Sequence, residues 1–541
     1  MLKNGLLSWR ISVLALTGWL MLPMLVVFYS WTNPQVEAWK HLTETVLSDY
    51  VIHSLILAAG VGIGVSAIGT GSAWLISQFD FYGRKTLQWL LVLPMAVPAY
   101  IIAYTYTGML DFAGPVQSAI RESFDLSYGD YWFPEVRSLP GAIVMMSLVL
   151  YPYVYMLALN AFREQSQSLY ESSKTLGISG RRYFFRVALP LARPAIVTGA
   201  SLAMMESLAD YGTVQYFGVN TFTTGIFRTW FGMGNQQAAA QLASLLCTFV
   251  FVLILLERFS RHKRRYFNTG TQQRVVQRRA MSPKFQWIAA VLCFLPFLFG
   301  FVAPSLQLLY WSISHWQQNF DDQFLTLAFN SFMLAAIAAL VVTFIAVFVS
   351  YAKRLVVRKD VQIATQLASM GYAIPGAVVA VGAMLPLIWF DTQFDSFMQN
   401  LFGISTGLLL SGSLFALVFA YSIRFLVVAV QNTDDGLSRI KPSMDASART
   451  MGLSPKQVGI RIHLPLLRGS LLSAFILVFV DVLKELPATL IMRPFNFNTL
   501  AVRAHELASD ERLVDAALPA MAIVIVGLLP IYLLTKKMDE S

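Results

Sequence analysis

Long apolar runs constrain this chain more than any other feature. Stretches of about 20 apolar residues recur along its 541 positions, each long enough for a helix to cross a hydrocarbon layer ~30 Å thick. Backbone polar groups find no water there, so only helices and closed barrels span it, and barrel strands are much shorter than these runs. Charged residues make up 13% of the chain, where a soluble domain carries about a quarter. The expected fold class is therefore all-α integral membrane. Twelve transmembrane helices are predicted, at roughly 11–29, 53–78, 87–110, 139–161, 194–214, 239–257, 285–311, 328–351, 365–389, 407–430, 469–490 and 514–534.

The first run follows Lys3 and Arg10, as the core of a signal peptide would. It is long for such a core and no small-residue cleavage site follows, so it is read as a retained span. Lys and Arg crowd the N-terminus, the even-numbered loops and the C-terminus. Seven lie in the odd-numbered loops: Lys40, Arg121, Arg137, Arg228, Arg493, Arg503 and Arg512. Positive charge marks the cytoplasmic side, which places both termini there. The net charge of +10 then reflects topology and contact with anionic membrane lipid, with no nucleic-acid partner implied. The basic stretch from Arg258 to Arg279 reads as a solvated linker. Cys247 and Cys293 both lie within apolar runs, which speaks against a disulfide framework or a metal cluster.

The chain repeats itself. Shifted by 275 residues, Thr175-Leu-Gly-Ile-Ser meets Thr450-Met-Gly-Leu-Ser, and Arg186-Val-Ala-Leu-Pro-Leu-Ala-Arg193 meets Arg461-Ile-His-Leu-Pro-Leu-Leu-Arg468. Glu206 falls opposite Asp481, Asp210 opposite Glu485 and Arg228 opposite Arg503. Upstream, a shift of 277 pairs His53-Ser-Leu-Ile-Leu-Ala-Ala with Asn330-Ser-Phe-Met-Leu-Ala-Ala, and Pro98 with Pro375. Two six-span halves of parallel topology are expected, over 1–260 and 285–541, joined by a basic cytoplasmic linker over 261–284. Transport paths form at the interface of such repeats.

Two long cytoplasmic loops, 163–193 and 432–468, hold the next signal. Each is predicted to fold as two short helices. Gly177 and Gly452 suit the left-handed residue that closes the first helix. Ser179 and Ser454 can cap the second, and Pro455 takes its favoured first position. Pro190 and Pro465 are expected to break each loop from the span that follows. Glu171-Ser-Ser-x-x-x-Gly177, with Val187-x-Leu189-Pro190 beyond it, resembles the "EAA" loop of binding-protein-dependent ABC importer permeases. Gly452, Ile462, Leu464 and Pro465 repeat the pattern. At the position of Glu171 the second copy has Ala446, with Asp445 one step earlier. The resemblance implies a type I ABC importer fold. It also implies that Glu171, Gly177, Leu189, Pro190, Asp445, Gly452, Leu464 and Pro465 dock two copies of an ATP-binding subunit. His463, between the matched positions, reads as a helix-surface residue. The chain has no Gly-x-x-x-x-Gly-Lys-Ser/Thr phosphate loop, and Gly60-x-Gly62-x-Gly64 reads as close helix packing. On this reading the chain is not an enzyme and binds no cofactor; ATP and Mg belong to partner subunits.

Charged residues inside spans are costly and mark function. Glu206 and Asp210 in span five are four apart and predicted to share a helix face, as are Asp481 and Glu485 in span eleven. Lys484 lies among them. Two readings stand: a polar lining for a cation path, or a buried network in which Lys484 neutralises Asp481 or Glu485. Lys484 alone cannot balance four acids. Tyr211 and Tyr216 lie close by and, with the carboxylates, suit Fe³⁺ as hard oxygen donors, although no metal site is assigned.

The substrate is approached through resemblance. Asp210-Tyr-Gly-Thr-Val, Thr224-Gly-Ile-Phe-Arg-Thr-Trp230, Lys484-Glu-Leu-Pro-Ala-Thr-Leu490, Asn498-Thr-Leu-Ala-Val-Arg503 and Ala508-Ser-Asp-Glu-Arg512 are similar to the ferric-iron permease family. The similarity covers nearly the whole chain, including the fusion of both halves. It implies a bacterial inner-membrane permease that takes Fe³⁺ from a periplasmic binding protein. Relatives that carry thiamine, polyamines or organophosphonates are the alternatives. A major-facilitator transporter is the rival of another class, prompted by Asp80-x-x-Gly83-Arg84-Lys85; Ile76 and Phe81 break that motif.

Overall fold

The computed structural model describes residues 2–127, 130–165, 167–262 and 278–539; most of the linker lies outside them. Among the described residues, ten helices are long and apolar enough to cross a membrane: Leu7–Thr32, Leu47–Gln78, Leu139–Arg163, Gly180–Ala209, Gln236–Glu257, Pro283–Ser314, Asp322–Leu355, Gly376–Phe402, Leu414–Ser438 and Leu513–Tyr532. Two further spans are bent pairs, Arg84–Ala96 with Ala99–Phe124 at 93° and Pro455–Leu466 with Arg468–Leu483 at 74°. That brings the described spans to twelve.

Four spans differ from the continuous helices expected. Span three breaks between Ala96 and Ala99, where Pro98 cannot donate to the helix ladder. Span nine breaks equivalently before Pro375, leaving Lys359–Ala368 and Gly376–Phe402. Span five ends at Ala209 and resumes as the short helix Gly212–Tyr216. Span eleven ends at Leu483 and resumes as Pro487–Met492. These breaks pair off between the halves under the shifts that align the sequence.

The halves are intertwined. Leu2–Tyr29, the first helix of the chain, packs against Lys359–Ala368 and Gly376–Phe402 of the other half, and Arg10 Nε donates to Asp360 Oδ2 at 2.6 Å. A Cβ on Gly382 would collide with the Pro23 carbonyl, so glycine permits this crossing. In return, Pro283–Phe297 packs against Leu47–Gln78 and Arg84–Leu90. One apolar core unites spans two to five with the first and last spans of the second half. The other unites spans eight to eleven with spans one and six. At the end remote from the long loops, Arg137 grips Glu511 of the other half with two hydrogen bonds, 2.6 and 2.8 Å. The glycines of span two lie where expected: a Cβ on Gly60, Gly62 or Gly64 would strike Ile143, Met204 or Ser147.

Candidate transport path and coupling loops

Both long loops are built on one backbone plan. Gln167–Thr175 closes at Gly177 with φ +75, and Pro442–Thr450 closes at Gly452 with φ +85. In the first, Ile178 N–H bonds Ser173 O at 2.9 Å and Gly177 N–H bonds Lys174 O at 3.0 Å. Leu453 to Ala448 and Gly452 to Arg449 repeat the pattern at 3.2 and 3.0 Å. This is the helix-closing arrangement that a left-handed residue permits. Ser454 caps the next helix as expected, in a reciprocal pair with Gln457. Ser179 does not: its hydroxyl makes no capping bond, and Gly180 follows at φ +56 in place of a regular first helical residue.

Pro190 departs further. The chain runs without a break from Gly180 to Ala209, with Phe184–Ala188 opening into a π turn just ahead of the proline. The wider turn absorbs the missing N–H and the ring. A π turn also occurs at Gly459–His463, but there the helix bends just beyond Pro465, between Leu466 and Arg468. Leu189 is half-buried and Leu464 exposed.

The acidic positions of the two loops face different ways. Glu171 is exposed. Asp445 is turned inward, accepting from Arg354 Nε at 2.9 Å and pairing with His463 Nε2 at 2.7 Å. Burial opposes its ionisation, but the hydrogen bonds from Arg354 and His463 win and hold its carboxyl below the usual range. Asp445 is therefore an internal anchor in this structure. His463, expected on the surface, is 2% exposed, because the π turn rotates it under Tyr351 and towards Asp445.

Between the halves lies a cavity of about 130 Å³. The broken spans bring Glu206, Asp210, Asp481, Lys484 and Glu485 to its wall, together with the Pro98 break. Lys484 is not the only cation here. Arg424, in the middle of span ten, reaches Glu485 Oε1 at 2.9 Å, while Lys484 Nζ pairs with Asp481 Oδ1 at 2.8 Å. A single arginine in an otherwise apolar run gives no periodic signal, and its partner is 61 residues away in sequence.

Glu206 and Asp210 do not share a helix face, since the helix ends at Ala209 and Asp210 is extended, with ψ 137. Asp210 Oδ1 instead accepts from Thr213 N at 2.8 Å and Val214 N at 3.4 Å. Glu485 repeats this 275 positions on, accepting from Ala488 N at 3.0 Å and Thr489 N at 3.1 Å. Each carboxylate caps the short helix that resumes its broken span. The same break turns Tyr211 away from the cavity. It stacks on Phe227, with ring centroids 3.7 Å apart, in a vestibule of about 1270 Å³ at the far end from the long loops. Tyr216 lies beneath the Arg137 guanidinium. The acids line the cavity, and three of them are engaged in caps or ion pairs, with Lys484 on Asp481. Among the described residues no group of three or more His, Cys, Asp or Glu is arranged to hold a metal ion.

Residues 60–265 match the family model of the binding-protein-dependent transport system inner membrane component. A Fe(3+)-transport system permease protein of Haemophilus influenzae is 24% identical over 504 residues, covering 91% of this chain and 90% of that protein. The chain carries a domain of the binding-protein-dependent transport permeases over residues 60–265. A putative ferric transport system permease of the same organism is 22% identical over 510 residues, covering 89% of the permease and 76% of its own length. The sulfate transport system permease protein of Escherichia coli is 27% identical over 230 residues, which is 42% of this chain and 76% of that one. Among solved structures, a chain of a bacterial alginate ABC transporter, crystallised with an alginate-bound periplasmic protein, aligns at 18% identity with a TM-score of 0.34. It covers 44% of the permease and 86% of its own length.

Proposed function

We propose that this permease carries Fe³⁺ from a periplasmic binding protein across the bacterial inner membrane, driven by two copies of a separate ATP-binding subunit. The observation that carries the iron reading is the similarity to ferric permeases along both fused halves; the sulfate relative covers less than half of the chain. Charge supports it. Four carboxylates and two cations line the cavity between the halves, a formal excess of negative charge that favours a cation over an oxyanion. Both termini and the loops 163–193 and 432–468 face the cytoplasm, following the distribution of Lys and Arg. ATP-driven closure of the partner subunits pulls on these loops through Glu171, Gly177, Gly452 and the Leu-Pro pairs. Each helix closed by a left-handed glycine serves as a rigid handle.

The test is reconstitution in proteoliposomes with the ATP-binding subunit and the loaded binding protein. ATP-dependent uptake of radiolabelled Fe³⁺ is expected, and the permease alone should hydrolyse no ATP. Uptake of sulfate, molybdate or thiamine in place of iron would overturn the substrate.

A further inference from the structure

The two coupling helices are held in place by different means. In the second half, Arg354 is the anchor of Pro442–Thr450. It bonds Asp445, the Leu437 carbonyl at 2.6 Å and the Ile440 carbonyl at 2.9 Å. The repeat shifts of 277 and 275 place Ser77 opposite Arg354, Tyr170 opposite Asp445 and Ala188 opposite His463. None of these first-half residues can form that ion pair, and Ser77 bonds back to the Trp74 carbonyl on its own helix. Gln167–Thr175 has nine residues, too few to hold a helix without tertiary support.

An arginine is nevertheless present at the equivalent place, supplied by another part of the chain. Residues 279–280 emerge from the linker and pair in parallel with Phe79 and Asp80, at the cytoplasmic end of span two. The bridge sets the Arg279 guanidinium 3.6 Å from the ring centroid of Tyr170 and 5.4 Å from that of Tyr183. The two tyrosines meet edge to face at 5.0 Å, and Tyr183 is 2% exposed. Arg279 Nη2 is buried without a hydrogen-bond partner, so the aromatic faces are what this end of the guanidinium binds.

We propose that Arg279 is a positioning residue for the first coupling helix, supplied by the segment that joins the two halves. A cation–π contact from the linker does in half one what the Arg354–Asp445 ion pair does in half two. The connection is thus part of the machinery that holds the handle. Its consequence for transport rests on the docking role proposed above; the anchoring itself does not.

Hydrogen exchange on the full-length permease in detergent tests the anchor with no partner present. Arg279→Ala should speed exchange across 169–178 about tenfold, the size of a lost desolvated cation–π contact, and leave 442–453 unchanged. Tyr170→Phe should keep the protection, Arg279→Lys should recover part of it, and Tyr170→Leu should match Arg279→Ala. Unchanged exchange in 169–178, or an equal rise in both loops, would overturn the proposal. The coupling consequence is read separately, with cysteines at the exposed equivalent positions Leu176 and Met451 cross-linked to the ATP-binding subunit. Arg279→Ala should weaken the Leu176→Cys cross-link alone and raise the ATP spent per ion carried. If the first loop loosens and both readouts stay put, the anchor stands and the docking role of that loop falls.

Discussion

Removing Arg424 should destabilise the permease far more than removing Arg424 and the charge of Glu485 together. The Glu485 side chain is 2% exposed and that of Arg424 12%, so Arg424→Met leaves a buried carboxylate without its cation. Breaking a buried pair from one side costs about 3–5 kcal/mol. Glu485 keeps three donors, the amides of Ala488 and Thr489 and the Thr489 hydroxyl, which places the loss near the lower figure, about 3 kcal/mol. In Arg424→Met/Glu485→Gln both charges of the pair are gone, and the glutamine oxygen can still cap the short helix. A loss of about 1 kcal/mol is expected, about 2 kcal/mol less than for Arg424→Met alone. Denaturant unfolding of the four variants in one detergent, scored by intrinsic fluorescence, closes the cycle. A neutral Arg424→Met, or a double variant that merely adds the two single losses, would refute the claim that the pair and the cap share one carboxylate.

Gly376→Ala should act in the same direction, since a Cβ there meets Arg424 Nη1 and Glu485 Oε1; an unfolding midpoint equal to wild type would contradict this. Asp210→Asn retains a capping oxygen and loses the charge, so it should keep stability and lower iron uptake. Asp210→Ala should lose both, with about 1 kcal/mol of stability gone with the cap; equal stability of the two variants removes the cap, and full uptake by the Asn variant removes the electrostatic role. At Gly177 the backbone is left-handed and the space around it is open. Gly177→Leu should therefore cost about 1–2 kcal/mol locally, leave global unfolding unchanged and lower iron carried per ATP. Asp445 is held below the ordinary carboxylate range, so its stabilisation of the second loop is present at neutral pH and lost only as pH falls below about 4. Exchange across 442–453, corrected for intrinsic rates, should rise on acidification, whereas 169–178, anchored by an arginine on tyrosines, should not follow that titration.

What could be read from the sequence was local. Apolar length gives the spans, and a glycine followed by a serine or Ser-Pro gives the ends of the coupling helices. The repeat carries each such signal over to the other half. The breaks at Asp210 and Glu485 were hidden because apolar content reports depth in the membrane and not the direction of the backbone. Those residues look like one helix face until the helix is seen to end before them. Arg424, Arg354 and His463 act through partners that the fold brings close, and no spacing announces them. Pro190 misled because a proline need not end a helix: with a π turn just ahead of each, the helix runs on past Pro190 and bends just beyond Pro465.

The exchanged first spans bear on how the protein is made. Leu2–Tyr29 is synthesised well before the helices that cover it, Lys359–Ala368 and Gly376–Phe402, which come more than 300 residues later. The first half thus leaves the ribosome with one helix lacking its cover and with spans two and three still awaiting Pro283–Phe297. Neither half closes a core from its own residues. Membrane insertion and folding are separated in time, and the nascent first half needs lipid or an insertion factor against Leu2–Tyr29 until the second half arrives. Fusing the halves fixes the order and the stoichiometry of that exchange.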